Sequence, residues 1–138
     1  MGQIIGLDSS ILIYHIEDNV EFADTTEKVL DAIKKGEKSG VMSVVGMIEI
    51  LTGPKRAGKH EMVPRYKELI RAIPHLTVAG ITERIVDGAS DLRAKYHLRT
   101  PDAIHVATAI DFGADEFITN DEVLKQIKEI KVTLLSSL

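Results

Sequence analysis

The 138-residue sequence contains no cysteine and no tryptophan, and only 4% of its residues are aromatic. The absence of cysteine excludes disulfide bridges and zinc sites built on thiolate ligands. There is no run of about 18 apolar residues, so the sequence predicts no membrane span. The opening residues MGQIIGLD lack a basic region and a small-residue cleavage site. We therefore expect no signal peptide and a cytoplasmic protein.

The charge of the chain gives an ambiguous indication of its partners. The net charge is −4, whereas proteins that bind phosphates are usually basic. Acids that hold divalent cations would, however, reverse the local field. Residues 54–71 carry six cations and two acids. This basic segment could contact RNA phosphates or a protein partner, or it could be the solvated face of a helical hairpin.

Alternating strand-like and helix-like segments predict one α/β domain over residues 1–138. Short apolar runs predict five strands, at 3–8, 40–43, 75–80, 115–119 and 131–135. Helical patterns lie between them, at 10–17, 21–38, 44–51, 60–73, 82–97, 101–112 and 120–127. We expect Ser9 or Ser10 to cap the first helix and Thr100 to cap the helix that begins at Pro101. The alternation predicts a central parallel sheet flanked by helices in a three-layer fold.

Four acids fall where one edge of that sheet is predicted. Asp8 follows the first strand, and Asp121 follows the fourth strand by two residues. Glu49 lies in the helix that leaves the second strand, and Asp102 lies in the first turn of another helix. Ligands of parallel α/β sheets bind beyond the carboxyl ends of the strands, where these acids would meet. Asp115 precedes its strand, so we place it at the opposite edge and exclude it.

The surroundings of Glu49 and Asp102 are too apolar for ordinary surface acids. A buried carboxylate without a partner costs several kcal/mol or becomes protonated. For Glu49 alone, an ion pair with a lysine or arginine would be a sufficient explanation. Four converging carboxylates instead favour a hard divalent cation, Mg²⁺ or Mn²⁺, since oxygen ligands suit these ions. One or two such ions could hold the attacking and leaving oxygens of a phosphodiester.

Four segments, in this order and at these spacings, resemble the PIN-domain nucleases and especially the VapC-type toxins of toxin–antitoxin pairs. The segments are LDSSILIY (7–14), SVVGMIEIL (43–51), TPDAIHVATA (100–109) and FITND (117–121). The resemblance implies an acidic quartet that is both catalytic and metal-ligating, with three polar neighbours in support. The quartet is Asp8, Glu49, Asp102 and Asp121, and the neighbours are Ser9, Thr119 and Asn120.

The same resemblance implies an activity and partners. The activity is Mg²⁺- or Mn²⁺-dependent endonucleolytic cleavage of RNA by an activated water, with transfer or ribosomal RNA as the usual toxin target. The implied partners are a second copy of the chain, in a homodimer, and a cognate antitoxin. The alternatives are a PIN-fold nuclease of RNA processing and a catalytically silent PIN module that binds RNA or protein.

Three further features have less specific interpretations. GPKRAGKH (53–60) resembles a phosphate-binding loop, but it ends in His60 and follows a helix, so we interpret it as a basic loop between two helices. His105 lies one turn after Asp102, and we expect it to face the core with a backbone partner, although it could reach the site. Arg93 and Arg99 lie near the predicted site, and we expect them to be solvated or to contact phosphate.

Overall fold

Five parallel strands form the centre of the computed structural model, which describes residues 2–138. The strands are β1 (Gln3–Leu7), β2 (Lys38–Ser43), β3 (Leu76–Ala79), β4 (Glu116–Thr119) and β5 (Lys131–Leu134). Their order in the sheet is β3-β2-β1-β4-β5, and each neighbouring pair is parallel. The predicted strands are confirmed to within two residues at each end.

Helices cover both faces of this sheet. They are α1 (Ser9–Ile16), α2 (Ala23–Lys34), α3 (Val44–Arg56), α4 (Met62–Arg71), α5 (Glu83–Tyr96) and α6 (Thr100–Asp111). Buried residues of α1 to α4 share one apolar cluster, and those of α5 and α6 share a second. The predicted three-layer α/β fold is confirmed. None of the helices in residues 2–138 has the length and hydrophobicity that a membrane span requires.

The register of the central strand decides which residues meet at the edge. In β1, Leu7 pairs with Ile118 of β4, so Asp8, directly after β1, lies beside Thr119, the last residue of β4. Asp115 lies at the other end of β4, where its carboxylate and its backbone N–H both bond to the backbone of Ile4 at 2.8 Å. Asp115 therefore lies at the opposite edge of the sheet from Asp8, as the sequence predicts.

Two helix starts differ from the sequence expectation. Asp8, rather than Ser9 or Ser10, is the N-cap of α1, and its carboxylate accepts a hydrogen bond from the backbone N–H of Ser10. Ser9 and Ser10 are already helical, and their hydroxyls donate to carboxylates, that of Ser9 to Glu49 and that of Ser10 to Asp8. At α6 the N-cap is Arg99, and the expected cap Thr100 is already helical.

The helix α3 is longer than predicted. It continues through Pro54 to Arg56, so the expectation of a loop over 53–60 is wrong for its first four residues. Pro54 lies in the last turn, where the missing N–H removes a single hydrogen bond, and its ring is buried. The segment after Asp121 is a short 3-10 helix, Glu122–Gln126, instead of an α-helix.

Gly6 allows α6 to pack directly against β1. A Cβ atom at Gly6 would lie 2.4 Å from the Cβ of Ala109 and 3.0 Å from Cδ1 of Phe117. We predict that Gly6→Ala lowers the free energy of unfolding by about 1–3 kcal/mol, because the added methyl overpacks this contact. Urea denaturation measures the change.

Gly88 provides the matched control for this substitution. It lies inside α5, and a Cβ atom there would lie 3.5 Å from the Cβ of Ala107, which is an ordinary van der Waals contact. Gly88→Ala should therefore not destabilise the protein, since alanine is the better helix former by about 1 kcal/mol. Equal effects of the two substitutions would contradict the close approach at Gly6.

Candidate active site

All four predicted acids line one open cleft at the carboxyl edge of the sheet. The cleft has a volume of about 360 Å³. Its lining residues are Asp8, Ser9, Ser10, Tyr14, Glu49, Arg99, Asp102, His105, Asn120, Asp121 and Glu122. The acids come from both helical layers, since Glu49 lies on α3 and Asp102 on α6. The edge of the sheet is where the two layers meet.

Asp8 is held by uncharged donors. Its Oδ1 accepts from the backbone N–H of Ser10 at 2.9 Å and from the Ser10 hydroxyl. Its Oδ2 accepts from the hydroxyl of Thr119. Burial nevertheless raises the pKa of Asp8 above its ordinary value, against the lowering effect of these hydrogen bonds. The ionised carboxylate is thus incompletely compensated by the protein.

Thr119 connects two of the acids. This fully buried residue ends β4, and its hydroxyl donates to Asp8 while accepting from the backbone N–H of Asp121 at 3.1 Å. Asp121 caps the 3-10 helix, where its Oδ1 accepts from the N–H of Val123 at 3.0 Å. The neighbouring Asn120 donates to the hydroxyl of Tyr14 at 3.2 Å.

Glu49 is bound through one oxygen by two buried residues. Its Oε1 lies 2.9 Å from the Ser9 hydroxyl and 2.6 Å from Nε2 of His105. The hydrogen bond with His105 is the main cause that lowers the pKa of Glu49. The explanation of Glu49 by a lysine or arginine pair is therefore wrong. So is the expectation that His105 bonds to the backbone.

The environment of Glu49 is also less apolar than its sequence suggests. Its side chain is 36% exposed, and the adjacent Ile48 is 63% exposed. The helix α3 turns one apolar side to solvent, so its hydrophobic sequence does not bury the acid.

Asp102 pairs with an arginine on the same helix end. The Nε of Arg99 lies 3.0 Å from Oδ2 of Asp102, and Nη2 lies 3.4 Å from Oδ1. The Arg99 side chain is 77% exposed and that of Asp102 is 18% exposed. The pKa of Arg99 is raised, first by the hydrogen bond to Asp102 and to a lesser degree by the charges of Asp121 and Glu49. One guanidinium thus faces three acids of the cleft.

Comparison with protein-family models shows to which family a chain with this cleft belongs. The model of the PIN domain matches residues 5–130. The chain belongs to the PIN domain family. The match includes the segments that carry all four acids.

Solved structures share the fold of this PIN domain at low sequence identity. VapBC2 from Rickettsia felis bound to a promoter DNA fragment aligns at 18% identity, with 96% of this chain and 98% of that chain covered and a TM-score of 0.77. A toxin–antitoxin complex from Klebsiella pneumoniae gives 21% identity, coverages of 97% and 98%, and a TM-score of 0.71. VapBC-1 from nontypeable Haemophilus influenzae aligns at 18% identity, with 97% of this chain and 99% of that chain covered and a TM-score of 0.74. No curated protein matches the chain in sequence.

The cleft of this PIN domain offers the carboxylate oxygens that a divalent cation prefers, but these oxygens are not arranged around one ion. Within residues 2–138, no three His, Asp or Glu side chains are already gathered as ligands of one ion. The oxygens Oε2 of Glu49 and Oδ2 of Asp121 accept no hydrogen bond from the described residues, whereas Arg99 occupies Asp102. These carboxylates fit Mg²⁺ or Mn²⁺, because such an ion would offset the cost of burying the charge of Asp8, which raises its pKa. To bind Asp102 as well, the ion would have to displace Arg99.

Three residues that line the cleft are not among the site residues that the sequence predicts. They are Ser10, which the sequence indicates only as a helix cap, Tyr14 and Glu122. The helical spacing of Ser10 and Tyr14 places them one turn apart on the same side of α1, which is a usable signal. Of the two nearby arginines, Arg99 lines the cleft and Arg93 does not, and the Nε of Arg93 donates to the carbonyl of Leu98 at 2.9 Å.

We predict that Asp8→Asn raises the melting temperature in EDTA at pH 7 by roughly 2–4 °C. A raised pKa means that ionised Asp8 destabilises the folded state. This penalty is absent below the unfolded-state pKa of about 3.9 and grows as the pH rises through the folded-state value. The amide retains an acceptor for the N–H of Ser10. Calorimetry measures the shift.

Asp115→Asn is the control, because Asp115 accepts a backbone hydrogen bond at the opposite edge of the sheet. No comparable rise is expected there. A fall in the melting temperature of Asp8→Asn would instead show that its hydrogen bonds outweigh the cost of burying its charge.

Proposed function

We propose that this PIN protein is a metal-dependent endoribonuclease and acts as a VapC-type toxin. The observation that carries the proposal is the convergence of four carboxylates, from four separate segments, on one open cleft. Like charges in one cleft destabilise the fold unless something binds there. Because the chain belongs to the PIN domain family, we infer that the reaction in this cleft is phosphodiester hydrolysis.

Asp8, Glu49, Asp102 and Asp121 would hold the cation, either Mg²⁺ or Mn²⁺. When bound, the cation supplies charge neutralisation at the phosphodiester and a lowered pKa for the water that attacks phosphorus. The side chains around the acids keep them in place. Thr119 and the Ser10 hydroxyl fix Asp8, and Ser9 fixes Glu49.

The acidic cleft requires cations to bring an RNA backbone close. Arg99 is the exposed cation at the cleft, and once released from Asp102 it could pair with a phosphate. The basic segment 54–71 lies at the end of α3 and along α4, with most of its lysines and arginines exposed. It remains our second candidate for contact with RNA phosphates.

The toxin role rests on the fold neighbours. Those neighbours include VapBC and other toxin–antitoxin complexes, with nearly the full length of both chains aligned. We therefore propose a cognate antitoxin as the protein partner. From the resemblance to VapC-type toxins we add transfer or ribosomal RNA as the substrate class and a homodimer as the assembly.

Cleavage of total cellular RNA tests the proposed activity. With Mn²⁺ the wild-type protein should give discrete fragments, and with EDTA it should give none. Asp102→Asn should abolish the fragments, because it removes a charged oxygen ligand from the cleft. Asp115→Asn, an acid-to-amide change at the opposite edge of the sheet, should cleave at the wild-type rate. Absence of both cleavage and Mn²⁺ binding would instead support a silent binding module.

Arg99 provides a prediction about cation affinity. Because Arg99 and a metal ion would compete for Asp102, we expect Arg99→Gln to bind Mn²⁺ about 2- to 5-fold more tightly than the wild type. That range corresponds to the strength of an exposed ion pair. Calorimetric titration of the metal-free protein with Mn²⁺ measures the affinity.

Arg84→Gln is the matched control for Arg99→Gln. Arg84 is also exposed and also pairs with an aspartate, Asp111, at 2.9 Å, but neither residue lines the cleft. Its substitution should leave the Mn²⁺ affinity unchanged. Weaker Mn²⁺ binding by Arg99→Gln would show that Arg99 supports the cation site and does not compete with the ion.

A further inference from the structure

His105 is a buried polar residue whose two ring nitrogens differ in their surroundings. It lies on α6, one turn after Asp102, and only 3% of it is exposed. Its Nε2 lies 2.6 Å from Oε1 of Glu49. Its Nδ1 is buried and has no hydrogen-bond partner within residues 2–138. A buried nitrogen without a partner costs free energy, so the contact that Nε2 makes with Glu49 is the one that can offset this cost.

The surroundings of the ring determine which nitrogen carries the proton. An ionised carboxylate can only accept, so the proton of the short contact belongs to Nε2 of His105. Nε2 is therefore the donor of this hydrogen bond, and its proton points at Glu49.

A second donor approaches the same oxygen of Glu49. The hydroxyl of Ser9, at the start of α1, lies 2.9 Å from Oε1. Both donors are buried, Ser9 being 8% exposed, and they come from helices in different layers of the fold. Together they fix Oε1, while no hydrogen bond from residues 2–138 reaches Oε2. The free oxygen is therefore the one left for a ligand in the cleft.

We infer that His105 is a positioning residue, which holds Glu49 through its Nε2–H so that Oε2 stays free in the cleft for a divalent cation. This inference rests on the proposed function for the identity of the ligand. Without the two donors, the glutamate side chain, 36% exposed, would be free to sample several rotamers. Loss of a partner that orients a metal ligand typically costs about 10- to 100-fold in metal affinity.

Two substitutions separate hydrogen bonding from packing. In His105→Gln, the amide nitrogen can take the place of Nε2 and donate to Oε1. In His105→Leu, the donor is lost, but an apolar side chain fills the buried site and removes the unpartnered Nδ1. We expect His105→Leu to fold with an undiminished melting temperature. Thr108→Val, which alters another buried polar residue of α6 away from the cleft, is the control.

Calorimetric titration with Mn²⁺ measures the effect on the cleft. We expect His105→Leu to weaken Mn²⁺ binding by about 10- to 100-fold. His105→Gln should stay within about 3-fold of the wild type, and Thr108→Val should match it. Equal affinities of His105→Leu and the wild type would overturn the inference. Equal losses in His105→Leu and His105→Gln would overturn it too, since the donated hydrogen bond would then not matter.

A metal-free readout keeps this inference distinct from the proposed function. Nitrogen NMR of the wild-type imidazoles in EDTA should show His105 with a proton on Nε2, and the signal of that proton should change in Glu49→Gln. An Nε2 without a proton would overturn the inference whatever the metal result. If the wild type binds no Mn²⁺ at all, the proposed function fails, and the NMR result alone decides whether His105 holds Glu49.

Discussion

The cost of holding carboxylates in a partly buried cleft is the constraint on which the rest of the site depends. Asp8 is held by hydroxyl and backbone donors, Glu49 by a serine and an imidazole, and Asp121 by a backbone N–H. Among the residues that line the cleft, Arg99 is the one lysine or arginine, and its side chain is largely exposed. Hydroxyl and backbone donors orient Asp8 and Asp121 without neutralising them, whereas Asp102 is paired with Arg99, so the cleft retains a negative charge.

The parallel sheet brings these acids together from distant parts of the chain. Because β1 lies beside β4, Asp8 and Thr119 become neighbours although 111 positions separate them. The helix α6 returns from the carboxyl edge of the sheet to the amino edge, so its first turn, with Asp102, starts at the cleft. Gly6 lets α6 approach β1 closely. One turn after Asp102 on this helix, His105 is buried beside Glu49.

The fold and the positions of the acids could be predicted from the sequence because local patterns carry that information. Short apolar runs separated by amphipathic segments are sufficient for a parallel α/β sheet. An acid directly after a strand, such as Asp8, then falls at the carboxyl edge by geometry alone. The ion pair between Arg99 and Asp102 could also be predicted from the sequence, since residues three positions apart at the start of a helix lie close together.

The sequence by itself determined the layers of the fold, the edge of the sheet and the residues that reach it, because each depends on periodicity and on neighbours along the chain. The tertiary structure alone decided how each acid is held. His105 and Glu49 are 56 positions apart, and their contact depends on the packing of helices from two layers. The hydroxyl of Ser9 donates to Glu49, 40 positions away, and Asp8 bonds to Thr119 as well as to the first turn of α1. Such contacts are settled in three dimensions, where burial makes each unpaired polar group costly.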